Sequence, residues 1–165
     1  AVTPAVTPAA ATAVTPAAAT APPRSAGQRR TDVQHMLSTQ RQLWLASAAG
    51  DQAHLIPLAF AWDGTTITMV TRRTSRTARN LRASGYARAA VGSPVDVVII
   101  EGPVSFSEPA EAAAQTRAIF ATLPLNPERV PGAIGVHLTP RRILAWRGLA
   151  EIADRTVMAD GTWLG

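Results

Sequence analysis

The hydrophobic pattern predicts a chain built mainly of strands. Thr31-Asp32-Val33-Gln34 fits a capping box, with a short helix to about Leu37. Leu43, Trp44, Leu45 and Ala46 predict a first strand, closed by Gly50-Asp51. A second runs from about Ala53 to Trp62, and Asp63-Gly64 is a two-residue hairpin signal. Thr65 to Thr71, rich in β-branched residues, predicts a third strand. Ser75 to Ala83 predicts a short helix with Ser75 as N-cap.

Two further strands follow, Tyr86 to Val91 and Val95 to Phe106. Within the second, Val97-Val98-Ile99-Ile100 is continuously apolar, the pattern of a strand covered on both faces, and Gly102 is a candidate bulge. Pro109 to Thr122 predicts a helix with Ile119 and Phe120 for packing, and Leu123 to Gly132 a proline-rich loop. Strands Ala133 to Leu138 and Arg142 to Ile152 complete the set. Antiparallel strands with few helices suggest a small barrel that closes its own edges. Trp44, Trp62 and Phe60 are read as core residues.

The start of the chain has no such pattern. Residues 1–23 contain only Ala, Thr, Val and Pro, with Ala-Val-Thr-Pro at Ala1, Ala5 and Ala13. Five prolines and methyl-sized side chains cannot build a core. Residues 1–28 are therefore read as a disordered or polyproline-like tail, and 29–165 as one domain. A secretory signal would need a basic start and a compact apolar stretch, which are missing.

Composition narrows the chemistry. Of 165 residues, 47% are hydrophobic and 16% charged, enough for a real core. Cysteine is absent, which excludes disulfides, thiolate catalysis and cysteine-ligated metal. His35, His54 and His137 lie on different elements, so no metal site is expected. No apolar run approaches the ~20 residues of a membrane span. A cytoplasmic location is the expectation. There is no phosphate-loop signature, no dinucleotide fingerprint and no nucleophile elbow. Glu101, alone in an apolar strand, is read as a paired or rim-facing carboxylate.

The net charge is +5, carried by sixteen basic residues, all arginine. They are densest in Thr71-Arg72-Arg73-Thr74-Ser75-Arg76-Thr77-Ala78-Arg79-Asn80-Leu81-Arg82, where a strand ends and a helix starts. Free N–H groups, hydroxyls and bidentate guanidinium groups make this a phosphate seat. A solvated helix face that keeps the protein soluble is the other reading. Trp146 beside Arg147 could sandwich a flat, anionic ligand, or serve as a core plug with a surface charge. Nucleic-acid binding is disfavoured, because no aromatic residue interleaves the arginines.

These features, taken in order from Arg41 to Trp163, resemble the split β-barrel flavin and deazaflavin oxidoreductases related to pyridoxamine 5′-phosphate oxidase. The matching parts are Leu43-Trp44-Leu45-Ala46, His54-Leu55-Ile56-Pro57-Leu58-Ala59-Phe60, Trp62-Asp63-Gly64, the seat, Asp96 to Gly102, and Trp146-Arg147-Gly148. The resemblance implies a six-stranded antiparallel split barrel with two or three short helices. It also implies a homodimer with cofactor sites at the subunit interface. By the same resemblance Ser75, Arg76 and Thr77 grip the cofactor phosphate; Thr71 lies in the same stretch, and Arg72, Arg73, Arg76 and Arg79 line a basic groove that suits an anionic cofactor electrostatically. His54, Leu55, Ile56 and Pro57 line the ring, and Trp146 and Gly148 come from the other subunit, with Arg147 between them as a further cofactor contact.

Thr77 and Ala59 stand where the oxidase pattern has lysines. The arginine-only, alanine-rich usage suggests a high-GC genome, such as an actinobacterium's. Both features favour coenzyme F420, with its anionic tail, over FMN. The expected function is hydride transfer between F420 and a small electrophilic substrate. His54 and Tyr86 are the candidate proton donors. An FMN enzyme of the same fold and a non-catalytic flavin- or haem-binding carrier are the alternatives.

Overall fold

The computed structural model describes residues 22–165; the repeats of residues 1–21 lie outside them. The elements are α1 (Ala26–Thr39), β1 (Gln42–Ala49), β2 (Gln52–Trp62), β3 (Ile67–Arg72), α2 (Arg76–Ser84), β4 (Tyr86–Ser93), β5 (Asp96–Ser107), α3 (Ala114–Thr122), β6 (Ala133–Leu138), β7 (Arg142–Trp146), β8 (Thr156–Ala159) and β9 (Thr162–Trp163). Six strands close an antiparallel ring in the order β4-β1-β2-β3-β6-β5, because β4 also pairs with β5. β7, β8 and β9 extend from the outer side of β5.

β5 makes closure possible. Its first part pairs with β4 and β7, and its last residues, Val104 to Ser107, pair with β6. The strand changes partners around Gly102-Pro103. Gly102 is not a bulge in the β4 ladder, where it pairs directly with Ala87. A Cβ there would stand 1.9 Å from the Thr139 carbonyl oxygen, so close backbone approach requires glycine.

Inward side chains follow the period of two. Leu43, Leu45, Phe60, Ile67, Met69, Val98, Ile100, Val136 and Leu138 are buried in one core, closed at one end by Val33 and Leu37 of α1. A second small cluster, Val70, Phe120, Leu123 and Ala133, lies between α3 and the outside of β3–β6.

Several sequence expectations need correction. α1 is capped by Ser25, not Thr31, and the capping box is Ser25 with Gln28. The β2–β3 connection has four residues, not two. Asp63 Oδ1 accepts from the Thr65 and Thr66 backbone N–H groups and from Thr65 Oγ1, which organises the loop and delays β3 to Ile67. Pro109 to Glu111 form a separate 3₁₀ turn, so α3 starts only at Ala114.

The last long strand ends at Trp146. Gly148 at φ 62° turns the chain into a 3₁₀ turn at Leu149–Glu151, and β8 and β9 follow. Val97 and Ile99 are half-buried rather than covered, and Trp44 is 50% exposed rather than in the core. These outward positions follow from strand alternation: Leu43 and Leu45 take the core side and leave Trp44 outside.

Candidate functional site

The seat is built where β3 ends. The Ser75 hydroxyl caps α2 by accepting from the Ala78 N–H at 3.0 Å, and it lies 3.0 Å from Thr71 Oγ1. Thr71 and Thr77 are buried, which fixes the turn against the barrel. Ser75 and Thr71 are thus occupied in making the helix start. The Arg79 N–H bonds the Ser75 carbonyl, as the first regular helical bond. The N–H groups of Arg76 and Thr77 precede it, and among the described residues they have no protein acceptor.

Arg76 reaches sideways to β2, donating from Nη2 to Gln52 Oε1 at 3.1 Å. Among the described residues, Arg72, Arg76 and Arg79 make no ion pair. α2 has no acidic residue in its first turn. Two open N–H groups and an acid-free arginine at a helix start favour an anion.

The sequence-predicted arginines do not all point to this place. Arg73 turns away and pairs with Glu108 across a cleft of about 620 Å³, shared with Arg117, Glu128 and Arg129. Arg79 folds back onto the Thr74 carbonyl. Arg82, outside the predicted set, donates to the Arg73 carbonyl and lies 4.9 Å over the Phe106 ring.

β2 presents two faces beside the seat. His54 and Ile56 are half-buried and pair with the inward Ser47 and Leu45. Ser47 Oγ accepts from the Asn80 amide of α2 at 3.3 Å, which ties the helix to β1. Leu55 and Pro57 are exposed on the outer face, opposite Ala46 and Trp44. Leu55 is 60%, Trp44 50% and Tyr86 45% exposed, so this face carries large apolar groups that one chain does not cover.

Trp146 ends β7, opposite Val97 and half-buried. It belongs to the far side of β5, whereas α2 packs on β1, β3 and β4. Arg147 is held by acids: Nε donates to Asp96 at 2.8 Å, and Nη2 stands 3.6 Å from Asp32. Its backbone N–H donates to Glu151 Oε2 at 2.6 Å.

Sequence reasoning missed Glu151 and Arg24. Their pairing spans 127 positions and no local pattern announces it. The Arg24 guanidinium beside it holds the Glu151 carboxyl at about 2, against an ordinary 4.5, and the carboxylate in turn raises the already high pKa of Arg24. Glu101 pairs with Arg88 at 3.0 Å across the β4–β5 ladder, the paired role expected of it.

His137 lies away from the seat on the outside of β6. Thr68 Oγ1 is 3.1 Å from its Nδ1 and Ser107 Oγ 2.7 Å from its Nε2. Burial lowers its pKa from the ordinary histidine value, which favours the neutral ring. Among the described residues no three His, Asp or Glu gather as metal ligands, and no helix is long and apolar enough to cross a membrane.

Comparison with known proteins places this geometry. The family model described as pyridoxamine 5′-phosphate oxidase matches residues 30–147. No curated protein matches the chain. Several solved structures share the fold at low identity. An F420 reductase is 17% identical with a TM-score of 0.53, over 67% of this chain and 94% of that one. The haem storage protein HutZ from Vibrio cholerae is 11% identical with a TM-score of 0.60, over 74% and 98%. An FAD-binding protein from Mesorhizobium loti is 14% identical with a TM-score of 0.58, over 69% and 89%.

Proposed function

The chain belongs to the pyridoxamine 5′-phosphate oxidase family, and from that premise we propose that it is a homodimeric oxidoreductase binding coenzyme F420 or, second to it, FMN. The observation that carries the reading is the start of α2. Among the described residues, two backbone N–H groups without acceptors and Arg76 without an acid stand there beside β2. An anionic phosphate would satisfy all three groups at once.

The residues present fit such a cofactor in part. Arg76 and the N–H groups of Arg76 and Thr77 would hold the phosphate, with Arg72 and Arg79 adding positive potential. His54, Ile56 and the β2 backbone would flank the ring. Ala59 and Thr77 supply no lysine, which favours a ligand that spreads its negative charge over a longer path. When bound, the (deaza)flavin supplies two-electron chemistry, and the chain positions it. His54 and Tyr86 are the groups near β2 and β4 able to hold a proton for the acceptor.

The uncovered apolar face of β2, β1 and β4 supports a second copy. A partner would also bring its Trp146 toward a cofactor that this chain's own β7 does not approach. Light scattering is expected to give about twice the 17.3 kDa chain mass. Expression in a host that makes both FMN and F420, followed by the mass and absorbance spectrum of the bound ligand, tests the cofactor. Recovery of haem, with no reoxidation by any acceptor, would replace the enzyme with a carrier.

A further inference from the structure

We propose that Arg24 and Glu151 form a strap that sets the position of the Trp146–Gly148 turn, which makes Glu151 a positioning residue of the cofactor site. The role in the site rests on the reading above, in which Trp146 reaches the partner's cofactor. The strap itself rests on contacts alone.

Glu151 is 3% exposed in a 3₁₀ turn, where an unpaired carboxylate would be strongly destabilising. Each of its oxygens is bonded twice. Oε1 accepts from the Arg24 N–H at 2.8 Å and from Arg24 Nε at 3.0 Å. Oε2 accepts from Arg24 Nη2 at 2.7 Å and from the Arg147 N–H at 2.6 Å. A carboxylate used only to anchor the segment before α1 would be satisfied by Arg24. The bond to Arg147 adds the residue between Trp146 and Gly148.

The turn needs this tie. From Arg147 to Asp154 the chain leaves the sheet, and its backbone ladder resumes only where the Ala145 N–H meets the Arg155 carbonyl. Among the described residues, the one backbone bond within the excursion is local, from the Ile152 N–H to the Leu149 carbonyl. Three of its polar anchors come from the segment around α1: Arg24 on Glu151, Arg29 Nη2 on the Asp154 carbonyl at 2.8 Å, and Asp32 near the Arg147 guanidinium; a fourth is local, from Arg155 Nη1 to the Ile152 carbonyl at 2.6 Å. Asp96, at the start of β5, holds Arg147 from the other side. Arg24 also pairs with Asp32 at 2.8 Å, so one arginine links the chain before α1, the helix and the turn.

Loss of the strap frees the Arg147 backbone and lets Trp146 move without opening the barrel core. The test uses the full chain with Glu151→Gln, Arg24→Lys and, as control, Glu128→Gln, which removes an ion pair with Arg117 on α3. Hydrogen exchange at the Arg147 amide and titration with FMN, read by flavin fluorescence, are measured on each. Glu151→Gln is expected to speed exchange at Arg147 by about thirtyfold or more and to weaken FMN by about tenfold, on the scale of a charged hydrogen bond. Arg24→Lys, which keeps one donor, falls between, and Glu128→Gln changes FMN affinity less than about twofold.

Unchanged exchange at Arg147 would overturn the strap. Faster exchange with unchanged FMN affinity would overturn the positioning role. Should Glu151→Gln not fold, Arg24→Lys carries the same two readouts. A wild-type protein that binds neither FMN nor F420 sinks the proposed function instead, and the exchange measurement still decides the strap.

Discussion

The chain has two concentrations of arginine, and they differ in their acids. Around Arg24 and Arg147, two guanidinium groups meet three carboxylates, Asp32, Asp96 and Glu151. Around Arg72, Arg76 and Arg79, the described residues supply none. The first group is internally satisfied and therefore structural. The second has unspent charge and open N–H groups and therefore suits a ligand. A guanidinium has the same five donors in both places, so function follows from what those donors already hold.

The sharpest way to separate the two is acid. Glu151 titrates at about 2 in the folded chain against an ordinary 4.5, chiefly because the Arg24 side chain bonds its ionised form. Its stabilisation is therefore complete above about pH 4.5 and is lost as pH falls toward 2. The difference corresponds to roughly 3 kcal/mol. Glu151→Gln should lower the melting temperature at pH 7 and flatten its fall between pH 4.5 and 2. Arg76→Ala should leave that acid limb unchanged. An equally steep limb in Glu151→Gln would mean that other carboxylates carry the acid response.

Deleting residues 1–23 keeps Arg24 and should change the melting temperature little; deleting through Arg24 should reproduce the loss seen on changing Glu151. His137 adds a separate slope. Its lowered pKa means the unfolded chain takes up the proton first, so its contribution is present above about 6.5 and declines as pH falls below it.

The seat and the strap were not equally legible. Phe60 as a core residue and the strands around Leu43–Ala46 and Val97–Ile100 could be read from the chain, because strand propensity and burial are local consequences of side-chain type. Ser75 as the cap of α2 was legible for the same reason. Arg147 was read as a cofactor contact because nothing local shows that Asp32 of α1 and Asp96 of β5 are brought to its guanidinium by the fold. Arg73, next to Arg72, points into a different cleft because consecutive residues at a strand end diverge. Trp44 was misplaced because an apolar ring says nothing of which face of β1 it occupies, and the outer face is itself apolar.

Within the seat the same contrast can be read at single residues. Arg76→Ala should weaken cofactor binding about tenfold or more, since it removes a charge-assisted contact worth ~1.5–3 kcal/mol. Arg73→Ala should cost far less, because Arg73 already pairs with Glu108. Titration of the three proteins with one cofactor makes the comparison. Equal losses at both positions would mean that the Arg73–Glu108 pair opens for ligand, and equal small effects would return the strip to a solvated helix face.

The smallest expected effect concerns which anion the strip prefers. A single terminal phosphate can use the α2 start and Arg76, and an FMN-type ligand stops there. An F420-type ligand continues as a phosphodiester and a glutamate tail, which could run along Arg72 and Arg79, both free of acids among the described residues. Arg73 is excluded from that path by Glu108, so the strip is shorter than its sequence suggests. Each added exposed pair should contribute only a few tenths of a kcal/mol. F420 should therefore bind more tightly than FMN by a modest factor, and the factor should grow with the number of glutamates. Salt should erode it, because the Debye length falls from about 10 Å at 0.1 M to about 3 Å at 1 M. Titrations with both ligands at those two ionic strengths read the preference directly. A preference for F420 that persists undiminished at 1 M would locate discrimination at the ring, beside His54 and Ile56. Tighter FMN binding at both would make FMN the cofactor and leave the arginine strip with solubility alone.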